Sequence, residues 1–201
     1  MENLEKIYQP VTERNIKLEQ EEKKYKAKNA LQSLYGEITE KGVNQLIENL
    51  RDNNYINRPL SFVDVGSGYG KMVFHMAMFD DIKKSKGIEF LKSKFKYSVD
   101  LLKSLSSSFP IHKIKLMFGD VLDVKELDED IVYHNSISWS NKHLNHLINI
   151  TKVGCIHIST NNLIYKTKRK DIKEIHRWQI NCSWNKPGKL TTMFVYKKLE
   201  I

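Results

Sequence analysis

Cysteine is scarce in this chain of 201 residues: there are two, Cys155 and Cys182. Both lie in apolar, strand-like runs, which suits buried free thiols in a reducing compartment. No cysteine has the spacing of a zinc site. His143 and His146 share one face of an expected helix, but no third ligand accompanies them. No apolar run is long enough to span a bilayer, and no charged-then-apolar leader opens the chain. No membrane contact is expected, and the protein is expected to be intracellular rather than secreted. A phosphate-binding G-x-x-x-x-G-K-[ST] loop is missing. So are the Asn/Asp-Pro-Pro-aromatic motif of amino-DNA methylation and the Pro-Cys nucleophile of cytosine carbon methylation.

What is present is a globular composition, 40% hydrophobic and 28% charged, with a net charge of +9. The excess is uneven. Residues 1–30 nearly balance, whereas the C-terminal region carries Lys166, Lys168, Arg169, Lys170, Lys173, Arg177, Lys186, Lys189, Lys197 and Lys198 against Asp171, Glu174 and Glu200. Such a face attracts nucleic acid, nucleosomes or acidic proteins, although a solvated lysine-rich surface has the same composition.

Periodicity organises the chain. Residues 11–34 read as a charged amphipathic helix and 41–51 as a second, with Val43, Leu46, Ile47 and Leu50 on one face. Alternation then sets in: strands at 61–65, 86–90, 113–118, 131–134 and 154–159, and helices at 70–79, 91–105 and 140–149. Two long β-like runs, 174–183 and 190–199, close the chain around a turn at Asn185-Lys186-Pro187-Gly188. The expectation is a Rossmann-like, doubly wound, mostly parallel seven-stranded α/β sheet with an antiparallel C-terminal hairpin. A helical N-terminal extension (1–55) would precede the main domain (56–201).

Phe62-Val63-Asp64-Val65-Gly66-Ser67-Gly68-Tyr69-Gly70-Lys71 is the most informative stretch. An apolar strand meets an acid, and three glycines at every second position lead into an apolar helix. This places a nucleotide-type cofactor over the end of a buried parallel strand. NAD calls for G-x-G-x-x-G, but Lys71 occupies the third glycine position. Three acids instead stand at three consecutive strand ends: Asp64, Glu89 and Asp120. Each suits S-adenosyl-L-methionine. Asp64 can hold the ammonium end directly or through water, Glu89 can accept both ribose hydroxyls, and Asp120 can accept from the adenine amino group with Val121 beside the ring. Any one of these acids could equally cap a helix or a turn.

At this point a family resemblance emerges. Tyr35-Gly36-Glu37-Ile38 resembles the tyrosine-glycine-glutamate-threonine loop of the Dot (disruptor of telomeric silencing) family, the histone-lysine methyltransferases without a SET domain. Phe62 to Lys71, Gly87-Ile88-Glu89 and Gly119-Asp120-Val121 resemble its cofactor motifs. Asn135-Ser136-Ile137-Ser138-Trp139 is similar to the segment lining its lysine channel, and Ser183-Trp184 to a late family segment. Ile38 replaces a threonine, Lys71 a glutamine and Ile137 a phenylalanine. The family's late active-site tyrosine has no clear match near Thr191-Thr192. The resemblance implies a lysine methyltransferase acting on nucleosomal histone, in the nucleus or on chromatin. Tyr35, Gly36, Glu37 and Ile38 would cover the cofactor. Gly66, Gly68, Gly70 and Lys71 would bind it, while Asn135 would orient donor or amine. Trp139, Ile137 and Trp184 would wall the channel. An RNA or DNA methyltransferase of the same fold, or a non-catalytic nucleic-acid-binding relative, is the alternative.

Overall fold

Six consecutive buried residues, Leu60–Val65, form β1, a strand covered on both faces as a central parallel strand requires. The computed structural model describes residues 2–9 and 37–200. The helix expected over 11–34, and Tyr35 and Gly36 of the expected covering loop, lie outside the described residues. Around β1 the chain forms α1 (Glu2–Tyr8), α2 (Glu40–Asp52), α3 (Lys71–Ala77), β2 (Ile82–Glu89), α4 (Lys92–Ser104), β3 (Ile114–Phe118), β4 (Ile131–His134) and α5 (Asn141–Ile150). Then follow β5 (Ile156–Ser159), α6 (Leu163–Thr167), β6 (Ile172–Ile180) and β7 (Thr191–Lys198).

The seven strands are ordered β3-β2-β1-β4-β5-β7-β6. The first five are parallel, and β7 runs antiparallel to both β5 and β6. The expected sheet and its antiparallel ending are therefore present. Strand order reverses at the β1/β4 boundary, which opens a crevice at the carboxyl ends of those strands. One face of the sheet packs on α2 and α3 through Val43, Leu46, Ile47, Phe62, Met72 and Tyr133. The other packs Val63, Val65, Val132 and Leu147.

Two expectations changed at their edges. β2 begins four residues early, at Ile82, because Ile82-Lys83-Lys84-Ser85-Lys86 hides a strand behind its charges. Lys84 and Lys86 bring their ammonium groups to the fully buried Glu129, at 3.4 and 3.0 Å. The short helices α1 and α6 were not anticipated, since neither is long enough to display a period. α1 is held by Ile7 packing with Phe74, Leu101 and Phe109, and by Tyr8, whose hydroxyl lies 2.9 Å from His75 Nδ1.

Candidate active site

The glycine turn between β1 and α3 is a run of left-handed backbone: Gly66, Gly68 and Gly70 have φ of 83°, 54° and 81°. At Gly70 a Cβ would also lie 2.8 Å from the Phe74 ring. Only glycine gives both the conformation and the clearance. The turn is tied to the end of β2 by Glu89, whose carboxylate accepts from Gly68 N at 2.6 Å and from Leu91 N at 2.8 Å. Glu89 is buried, and that burial raises its pKa against the help of these N–H groups and the nearby Lys94.

Asp64 lies deeper. Burial, with the Glu89 charge in addition, pushes its carboxyl up to about 8. Two buried carboxylates converge where the strand order reverses, so the site favours a cation. A ligand with an ammonium and a ribose diol matches that demand, and S-adenosyl-L-methionine carries both.

Beside them opens a cleft of about 520 Å³, part of it solvent. It is lined by residues at the ends of β1, β2 and β3, among them Val65, Ile88, Phe90, Asp120 and Val121, together with Ser138, Trp139 and His143. Apolar and aromatic side chains beside one acid suit a heteroaromatic ring. Asp120 uses one carboxylate oxygen to accept from Leu122 N at 2.9 Å, so it caps the short 3-10 turn Val121–Asp123 as well as facing the cleft.

The loop after β4 is stitched to the loop after β5. Ser136 N donates to Thr160 Oγ1 at 3.1 Å, the Thr160 hydroxyl donates to Asn135 Oδ1 at 3.1 Å, and Asn161 Nδ2 donates to the Ser136 carbonyl. Asn135 is thereby held directly after the carboxyl end of β4. Trp139, expected in a lysine channel, lies in the cleft shared with Asp120 and Val121. Its ring comes 3.7 Å from the point where a Gly66 Cβ would lie, and it stacks on His134. The cause is the turn at Ser136–Trp139, closed by Trp139 N donating to Ser136 O at 2.9 Å, which folds the ring back toward β1. His143 and His146 make separate hydrogen bonds, with Ser140 Oγ and the Val124 carbonyl. Among the described residues no group of three metal-ligating side chains exists.

Glu37 and Ile38 are described, and both are bound to the far end of the sheet. Ile38 makes an antiparallel bridge with Cys182, Glu37 N donates to Ser183 Oγ at 3.0 Å, and Ser183 N donates to Glu37 O at 2.8 Å. The Glu37 carboxylate meets Lys71 Nζ at 2.5 Å. The segment 37–39 thus spans from the start of α3 to the residues beside Trp184. Cys155 and Cys182 are buried and free, as expected.

Phe90, Thr160 and Asn161 joined the site without having been singled out in the sequence. Phe90 was the detectable one, since it follows the acid at a strand end. Part of the expected basic face is used internally: Arg169 pairs with Asp171, Arg177 with Glu174, and Lys198 donates to the carbonyls of Ile148 and Thr151. Lys166, Lys168, Lys170, Lys173, Lys186 and Lys189 stay exposed. Among the described residues no helix is long and apolar enough to cross a membrane.

The fold is shared with solved structures, methyltransferases among them. A mutant of MtNAS in complex with S-adenosylmethionine superposes with a TM-score of 0.59 at 11% identity, over 79% of this chain and 62% of that one. This chain therefore spans less than two thirds of that protein. Magnesium protoporphyrin IX methyltransferase from Synechocystis, with bound SAH, gives 0.57 at 10% identity, over 78% and 81%. The N-methyltransferase NodS from Bradyrhizobium japonicum gives 0.56 at 11%, over 80% and 96%. No curated protein matches by sequence. The model of histone methylation protein DOT1 matches residues 13–183. With that match spanning most of the chain, the protein belongs to the DOT1 histone methylation family, whose cofactor, S-adenosyl-L-methionine, suits the acids, glycine turn and cleft.

Proposed function

We propose that this protein is a methyltransferase acting on the side-chain amine of a lysine in a core histone, presented on the nucleosome. The observation that carries the reading is the family match over residues 13–183. Three features support it. The segment 37–39 runs across the top of α3 to the Cys182–Trp184 region, joining cofactor side to substrate side. Asn135 follows the carboxyl end of β4, beside the point where the strand order reverses. The exposed Lys166, Lys168 and Lys170 come after β5, in and just beyond α6, and suit nucleosomal DNA or an acidic histone surface.

The bound cofactor supplies an electrophilic methyl group. The chain has to present a neutral amine in line with it. A free lysine titrates near 10.4, so neutralising it at pH 7 costs roughly 4–5 kcal/mol. A desolvated channel lowers that cost by disfavouring the ammonium form. The nearby titratable groups do not act as strong bases: burial holds His134 well below its usual range and Tyr133 well above its own. Positioning and desolvation therefore carry the catalysis, with Asn135 orienting the amine and Trp139 closing the cleft. Glu37, Ile38, Gly66, Gly68, Gly70, Lys71, Glu89, Asp120 and Val121 hold the cofactor in this reading.

The test is transfer of tritiated methyl from the cofactor to nucleosomes, free histones, RNA and DNA side by side. Label in a histone lysine, strongest on nucleosomes, is the expected result. Label confined to nucleic acid overturns the reading and favours an RNA or DNA substrate.

A further inference from the structure

Asp64 and Tyr133 are register partners on the adjacent parallel strands β1 and β4, so their side chains project from the same face of the sheet. Both are buried, at 5% and 3% exposure. The charge of Asp64 acts on the Tyr133 phenol, so the two groups lie within electrostatic reach. The tyrosine ring packs in the core with Phe62, Met72 and Ile158, a task phenylalanine performs equally well. The hydroxyl is the part that packing leaves unexplained, and buried tyrosine hydroxyls ordinarily find a partner.

The groups facing this pair come from every neighbouring element. Glu89 approaches from β2 and acts against a charge on Asp64. Cys182, after β6, lies near the tyrosine, and burial pushes its thiol up to about 11, so it remains neutral. Lys71, at the start of α3, is engaged by Glu37 at 2.5 Å. Lys94 acts on Glu89 rather than on Asp64. A carboxylate in this setting needs a donor from the protein in addition to a cation from the ligand, and the tyrosine on the neighbouring strand is the one O–H its register supplies.

We propose that Tyr133 is a positioning residue whose phenol O–H donates to the Asp64 carboxylate, so that Asp64 presents its other oxygen to the ammonium end of the cofactor. The phenol remains protonated throughout and can only donate, because burial raises its pKa well above the ordinary value. No proton is transferred. The proposal rests on the assignment of S-adenosyl-L-methionine as cofactor.

The experiment is calorimetric titration of S-adenosyl-L-methionine between pH 6 and pH 10, with wild type, Tyr133→Phe, Asp64→Asn and the double variant. The α-amino group of the ligand titrates alike in every case and cancels in affinity ratios. If Tyr133 donates to the ionised carboxylate, Tyr133→Phe weakens binding about five- to tenfold below pH 7, and the penalty shrinks toward none as pH rises past 9. In the Asp64→Asn background Tyr133→Phe has no further effect. Equal affinity in wild type and Tyr133→Phe at every pH overturns the proposal. A penalty that is independent of pH, or that survives in the Asp64→Asn background, overturns it too, since the tyrosine would then serve only packing. Absence of binding by the wild type overturns the cofactor assignment and this proposal with it.

Discussion

Replacing Asp64 by asparagine makes the ligand-free protein more stable at alkaline pH while weakening its hold on the cofactor. Asp64 titrates near 3.8 when unperturbed and is pushed up to about 8 in the fold, chiefly by burial. Below pH 4 the group is protonated in both states and contributes no pH dependence. Between pH 4 and pH 8 the folded state keeps the proton and the unfolded state releases it. Stability therefore falls as pH rises through that window and levels off above it. Each pKa unit corresponds to about 1.4 kcal/mol, which sets a ceiling of roughly 6 kcal/mol. Local relaxation and water entry reduce such values, so about 2–3 kcal/mol is the working expectation. Urea denaturation of wild type and Asp64→Asn without ligand, at pH 5 and pH 9, measures it. At pH 5, little more than one unit above the unfolded pKa, the variant should lead by about 1–2 kcal/mol, since a protonated acid and an amide are close in polarity and only the unfolded aspartate has ionised. At pH 9 the variant should be the more stable by about 2–3 kcal/mol, roughly 5–10 °C in Tm. Calorimetry on the same samples should show cofactor affinity reduced at least about tenfold, the loss expected when a charge-assisted contact goes. If the two proteins lose stability in parallel from pH 5 to pH 9, Asp64 is not held against its ionised form and the account of the site fails.

Glu89→Gln should weaken cofactor binding about tenfold or more, because a charged acceptor for the ribose diol becomes a neutral one; unchanged affinity in calorimetry would count against the assignment. Gly42→Ala should cost about 2–4 kcal/mol in urea denaturation, since the added Cβ would lie 2.1 Å from the Asn181 carbonyl oxygen in the seam that holds segment 37–39. Trp139→Ala should expose His134, whose imidazole burial holds well below its usual range; its pKa, followed by NMR, should move up toward about 6.5 as water enters, and cofactor affinity should fall.

Local chemistry made much of the site readable from sequence. An apolar run ending in Asp64 and glycines at every second position impose a buried strand and a left-handed turn wherever they occur, so β1 and its cofactor turn were legible. Glu89 and Asp120 were legible because each ends a strand. The start of β2 was obscured, because the partner that neutralises Lys84 and Lys86 is Glu129, more than forty residues away.

The sequence by itself determined the order of elements, the positions of the acids and the family. Tertiary structure decided what no local pattern contains: that Trp139 turns back into the cleft, that Glu37 and Ile38 join Cys182 and Ser183 across the sheet, and that Tyr133 stands beside Asp64. Each is a contact between residues far apart in sequence. Such contacts depend on strand order and register, which are set when the two faces of the sheet bury their apolar side chains together.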